Sequence, residues 1–96
     1  MIVTERRTDQ GLLVTVCDPD VLGKTFEDGD VSITVTEDFY GGEERDRDAV
    51  VASLARASVA NLVGRDVVEL AIDEGYVDEG NVLEIEETLH AQFLRF

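Results

Sequence analysis

Lysine is almost missing from this sequence: seven of the eight basic residues are arginines and only Lys24 is a lysine. Cysteine is as rare, and the lone Cys17 cannot close an intramolecular disulfide, which fits a reducing compartment. The opening residues 1–7 lack the apolar run of a secretory signal. No segment approaches the ~20 apolar residues of a membrane span, so a cytoplasmic protein with no membrane partner is expected. Ninety-six residues is the size of a single domain, 1–96, whose chain buries only about 60–65% of the surface it exposes when unfolded. A ligand site is therefore expected in a surface groove or a shared interface rather than a deep pocket.

What is abundant is negative charge. Twenty-two acidic residues against eight basic ones give a net charge of −14. Disorder is excluded as the reason, because 44% of residues are apolar and they fall into periodic segments. An acidic face complementary to a basic partner is one reading. Adaptation to multimolar salt is the reading preferred here, since the carboxylates are dispersed along the chain and the Debye length is only about 3 Å at 1 M. Under such screening, net charge does not exclude nucleic acid as a partner.

Residues 2–7 and 12–17 read as two strands joined through Asp9-Gln10-Gly11, a hairpin connection. Asp18-Pro19-Asp20 breaks the second strand, with Asp18 as N-cap and Pro19 opening a helical turn that Gly23 closes. Phe26-Glu27-Asp28-Gly29-Asp30 reads as a turn. Residues 31–36 alternate strictly as a strand, and 37–42 leave it as a loop. The spacing of Val50, Val51, Leu54, Ala57, Ser58, Asn61 and Leu62 predicts one helix over 46–63, with Asn61 on its inward stripe. A second helix over 66–74 stops at Gly75. Residues 81–86 and 89–96 read as closing strands. The expected fold is α+β, a small antiparallel or mixed sheet of about five strands with a helical pair on one face.

Several segments carry a resemblance: Val16-Cys17-Asp18, Leu22-Gly23-Lys24-Thr25-Phe26-Glu27-Asp28-Gly29, Phe39-Tyr40-Gly41-Gly42, Ala60-Asn61-Leu62-Val63-Gly64, Leu70-Ala71-Ile72-Asp73-Glu74-Gly75 and His90-Ala91-Gln92. In this order they resemble an archaeal family known as domain of unknown function 424, along nearly the whole chain. The family's pattern has a proline where this sequence has Leu89. The resemblance implies a small archaeal cytoplasmic protein without an established activity, and brings an expected link to RNA or the translation apparatus.

Motifs with chemistry are few. Gly23-Lys24-Thr25 lacks the upstream glycine of a phosphate loop, since position 18 is Asp, and lacks the helix that should follow, and Asp18 and Asp20 would repel phosphate. The plain alternative is a turn with Lys24 near helix-end carbonyls, but the only ammonium in an arginine-using chain is also a candidate contact. Gly41 and Gly42 either make a flexible turn or bring backbone amides to a ligand, with Tyr40 as a stacking platform that salt would not weaken. Cys17 and His90 are the candidate nucleophile and base, against the plain reading of a packed thiol and a surface imidazole. Zinc would need about four N or S ligands where two are present, so neither metal nor cofactor is expected. Arg6-Arg7 and Arg45-Arg47 have acidic neighbours, and local ion pairing is their default.

The sequence is therefore read as a non-catalytic binding module for RNA or a protein of the translation machinery. Its candidate contacts are Lys24, Thr25, Tyr40, Gly41, Gly42, His90 and Gln92. The rivals are a small enzyme using Cys17, Lys24 or His90 on a nucleotide-derived substrate, and a protein–protein adaptor or homodimer exposing Leu13, Leu94 or Phe96.

Overall fold

The computed structural model describes residues 1–95. The expected hairpin is present as β1 (Ile2–Thr8) and β2 (Gly11–Cys17), paired antiparallel. A single 3-10 turn, Pro19–Val21, follows. Thr25–Asp28 and Val31–Thr34 then form a second hairpin, β3 and β4. The stretch read as a turn at Phe26–Asp28 is thus half of a strand pair, with only Gly29 and Asp30 left to reverse the chain. Phe26 explains this: its ring is buried, which anchors an otherwise acidic strand.

Glu37–Tyr40 coils into a short helix, α1, capped by the Thr36 hydroxyl accepting the Phe39 N–H at 3.2 Å. After a two-residue strand β5 (Glu43–Glu44) comes α2 (Arg47–Arg56), whose N-cap Asp46 accepts the Ala49 N–H at 3.0 Å. The helix expected over 46–63 ends at Arg56, and Val59–Val63 is a strand, β6. Helical spacing misled because Asn61 and Leu62 continue the stripe of α2 by count, whereas in the structure they point to opposite faces of one strand, Leu62 to the larger core and Asn61 to the other side. β-branched Val59 and Val63 favour the extended choice, and β2 supplies a parallel partner. Asn61 accordingly lies on a strand, not on a helix.

Arg65–Asp73 is the second long helix, α3, close to its expected span. The closing pair is β7 (Leu83–Ile85) and β8 (Thr88–Leu94). Phe96, offered as an exposed adaptor residue and as the last residue of the closing strand, lies outside the described residues. The main sheet is mixed and six-stranded, in the order β5-β1-β2-β6-β8-β7, beside the separate hairpin β3-β4. The α+β class and the helical pair on one face hold, with one more strand in the main sheet than expected.

Both faces of the sheet carry apolar side chains. On one face Leu12, Val14 and Val16 of β2 with Ala60 and Leu62 of β6 pack under Val50 and Leu54 of α2 and Val67, Val68, Leu70 and Ala71 of α3. A fully buried leucine such as Leu54 or Leu62 stabilises by about 1.5–3 kcal/mol over an exposed one, so this layer dominates the core. A smaller cluster sits on the opposite face: Cys17, Val21, Phe26, Val35, Tyr40, Val63 and Ile85. The Cα radius of gyration is 12.3 Å, near the roughly 12.5 Å of a compact chain this long. Among the described residues no helix is long and apolar enough to cross a membrane.

Candidate functional site

Strand register divides the second face into two ends. Ile2, Cys17, Val63 and His90 lie in one row across β1, β2, β6 and β8. The next row is Thr4, Thr15, Asn61 and Gln92, and the third is Arg6, Leu13, Val59 and Leu94. The first row is roofed by the β3–β4 hairpin and α1, which supply Phe26, Val35 and Tyr40 to the smaller core. Along the second row the roof thins: Thr15 is buried and donates to the Phe39 carbonyl at 3.0 Å, whereas Gln92 is exposed. The third row is largely bare. Leu94 is 62% exposed, and Leu13 and Val59 are half-buried.

The edge of the roof is held by arginine. Arg6 donates to the carbonyls of Phe39 (2.9 Å) and Asp38 (2.6 Å), and its guanidinium lies 5.2 Å from the Phe39 ring centroid. Phe39, 36% exposed, therefore stands at the border of roof and bare face. On the opposite side of β1, Glu5 accepts from the Ser53 hydroxyl at 2.6 Å and pairs with Arg56, clipping the strand to α2. The Ser53 hydrogen bond, reinforced by the Arg56 charge, holds the Glu5 carboxyl below its ordinary pKa despite partial burial.

The candidate residues are distributed over these ends. Tyr40 is buried, and desolvation pushes its phenol up to about 12. Its ring packs edge-on to Phe39 at 5.1 Å and roofs the smaller core, so it offers no open face for stacking. Gly41 and Gly42 are needed for close packing: a Cβ on Gly42 would collide with the Val3 carbonyl and the Thr4 side chain, and one on Gly41 with the Glu37 carbonyl. Thr4 donates to the Gly41 carbonyl at 3.0 Å, sealing that contact. Thr25 exchanges a hydrogen bond with Thr34 across the hairpin at 3.0 Å.

Cys17 is fully buried, and desolvation followed by the neighbouring Asp18 charge pushes its thiol up to about 11. His90 is on the same row but two strands away, roughly 10 Å at ~4.8 Å per strand, with Val63 between. Its Nδ1 lies 3.0 Å from the Leu62 carbonyl. The thiol and the imidazole are therefore not a nucleophile–base pair in this arrangement. Lys24 is elsewhere, on a groove of about 520 Å³ with Asp18, Asp20, Phe26, Arg65 and Thr88. Thr88, two residues before His90 on the same face of β8, has a buried hydroxyl without a hydrogen-bond partner. Of the candidate contacts, only His90 and Gln92 lie on a strand that runs into the bare face.

Two features escaped sequence reasoning. Asp18 does not cap the turn that follows it. Its carboxylate reaches across to α3 and accepts the N–H groups of Asp66 (2.8 Å) and Val67 (3.1 Å). Burial raises the Asp18 carboxyl above the ordinary range, and those two amide donors oppose the rise. Gly64, at φ +125°, leaves the helix start uncapped by its own side chain and makes room for that carboxylate, which a Cβ would strike. Glycine before a helix and an aspartate 46 positions earlier have no local signal connecting them. The second feature is Arg65, which donates to the Glu87 carbonyl (2.8 Å) and pairs with Glu84 (3.0 Å), fastening the β7–β8 turn to α3.

The model of the family "Protein of unknown function (DUF424)" matches residues 5–96. An uncharacterized conserved protein from Methanopyrus kandleri, known as a crystal structure, shares the fold with a TM-score of 0.80 at 20% identity, over 99% of this chain and 92% of that one. No curated protein is significantly similar to the chain. The chain belongs to the DUF424 family.

Proposed function

We propose that this DUF424 chain is a non-catalytic binding module whose contact surface is the bare end of the second sheet face. The observation that carries the reading is the thinly covered row Leu13–Val59–Leu94 among the described residues, with Leu94 exposed and Leu13 and Val59 half-buried, beside Asn61, Gln92 and the Phe39 border. An apolar strip on a rigid sheet, rimmed by polar side chains, is the ordinary anatomy of a protein-binding patch. The rival enzyme reading requires reacting side chains around one cleft. Buried Cys17, His90 beyond Val63 and Lys24 on its own groove do not supply that arrangement.

The partner class follows from the strip itself. In the screened salt to which the composition points, the −14 charge decides little, whereas an apolar strip with a strongly exposed leucine meets apolar side chains rather than phosphates, so a protein of the translation apparatus fits better than bare RNA. Stacking on RNA bases also finds little support, since Tyr40 is buried and Phe39 is only partly open. Affinity purification from the native host, at the multimolar salt to which the acidic composition points, tests this. Ribosomal or RNA-processing proteins are expected with the native chain, retained after nuclease treatment and lost with Leu94→Glu. Recovery of unrelated metabolic enzymes only, or of the same partners with Leu94→Glu, overturns it.

A further inference from the structure

Hydrogen-bond phase along a strand decides which backbone groups face outward. In β8 the Leu89 carbonyl accepts the Gly64 N–H and the Arg95 N–H donates to the Ser58 carbonyl, each at 2.8 Å. These pairs are in register with Leu62↔Ala91 and Ala60↔Phe93, so residues 89, 91, 93 and 95 turn their backbone groups toward β6. Residues 88, 90, 92 and 94 turn theirs to the other side. There β7 meets only Thr88 and His90, through Ile85 and Leu83. Among the described residues nothing pairs with the N–H and C=O groups of Gln92 and Leu94, which lie on an open edge.

The opposite edge of the sheet is built in the same way. The Arg45 N–H donates to the Met1 carbonyl at 2.8 Å, so Met1, Val3, Glu5 and Arg7 turn outward on β1. β5 closes the first part of that edge, and Glu5 and Arg7 are left over. The two free stretches differ in their side chains. On β1 they are Glu5, Arg6 and Arg7, and charge along an edge is the usual guard against unwanted strand pairing. On β8 they are Ala91, Gln92, Phe93 and Leu94, without a charge among them. The Arg95 guanidinium that follows is turned inward, donating to the Leu54 (2.8 Å) and Ala55 (3.3 Å) carbonyls and lying over Tyr76 and Phe93.

We infer that the Gln92–Leu94 edge receives an extended, basic segment of a partner protein, which joins the sheet as an added strand. The inference rests on the binding-module reading and names its mode of contact. Two outward donors and two outward acceptors give the segment its register, and alternate side chains fall beside Leu94 on the bare face. On the other side they fall into a shallow cleft formed by Tyr76, Val77, Asp78, Asn81 and Phe93. Asp78 in that cleft favours a basic side chain on the guest, a contact short enough to persist where net charge is screened. A second copy of this chain would have to hold by a contact only a few residues long, well short of the roughly 800 Å² per partner of a stable interface.

Amide hydrogen exchange resolved by residue tests the inference, with a capped hexapeptide alternating lysine and valine as the probe. In the free chain the Ala91 and Phe93 amides should exchange slowly and those of Gln92 and Leu94 fast. With the probe, Gln92 and Leu94 should slow by about tenfold or more, and the glutamate–valine counterpart should have no effect. Gln92→Pro removes an outward donor while sparing the bonds to β6, and should abolish the protection of Leu94 with the remaining amide pattern intact. Probe-induced shifts at Leu13 and Val59 with Gln92 and Leu94 still fast would leave the bare face as a binding surface but overturn strand addition. Protection of Glu5 and Arg7 instead, or protection that grows with protein concentration without the probe, would also overturn it. The wild-type exchange measurement stands even if the proline variant does not fold.

Discussion

The two ends of the sheet's second face are made from the same strands and treated oppositely. At the roofed end, Cys17 and Val63 lie under a hairpin, a short helix and the turn that Arg65 fastens. At the bare end, one step of two residues along each strand and then another, the described residues give Leu13, Val59 and Leu94 far less cover. Both edge strands repeat the division, closed by β5 and β7 near the roof and free beyond it. The lesson is that stability and contact are separated in space. The roofed end adds a second small core to a chain with little to bury, and the bare end keeps surface that folding does not need.

The sharpest way to break this comparison is to attack the roof. Phe26→Ala should cost about 3–5 kcal/mol in denaturant unfolding, because the ring is buried at the centre of the smaller core. Next is the helix clip. Asp18→Ala strips the amides of Asp66 and Val67 of their acceptor and should cost about 1–2 kcal/mol, with the amides of the first α3 turn exchanging faster.

Titration sharpens the contrast further. The folded chain holds the Cys17 thiol to about 11, against 9.0 for a free thiol, and the Tyr40 phenol to about 12, against 10.0. The unfolded chain sheds these protons first, so stability should decline as the pH rises from about 9 toward 11, and Cys17→Ser should flatten part of that decline. Glu5 acts with the opposite sign. Its lowered pKa stabilises the fold at neutral pH, and that contribution fades as the pH falls through the folded value. Glu5→Gln should cost about 0–1 kcal/mol, as expected for a largely exposed pair, and remove that part of the acid decline. The smallest effect belongs to the bare end: Leu94→Ala should change unfolding by no more than about 0.5 kcal/mol. A large cost there would mean that Leu94 is a structural residue, and the separation of stability from contact would fail.

Legibility in the sequence followed the range of the interactions. The β1–β2 hairpin could be read because Gly11 and two alternating runs are neighbours in the chain. The start of α2 could be read from Asp46 and its acidic surroundings, and α3 from its strongly one-sided apolar residues. The stop of α2 could not, since neither Ala57 nor Ser58 is a glycine or proline, and only pairing with β2 and β8 turns Val59–Val63 into a strand. Among the candidate site residues, His90 and Gln92 were placed on a strand from alternation alone. That Tyr40 is roof and Gln92 is open depends on where the β3–β4 hairpin lands, which no local pattern encodes.

By itself the sequence determined the charge of the surface, the α+β class and the segments capable of forming a hairpin, two helices and a closing strand pair. Those properties depend on composition and on neighbours a few residues away. Tertiary structure alone decided that β6 would be a central strand, that Asp18 would cap a helix beginning 47 positions later and that the uncharged edge of β8 would stay open among the described residues. Each of these is a pairing between distant segments, and its energy exists only once both partners are in place.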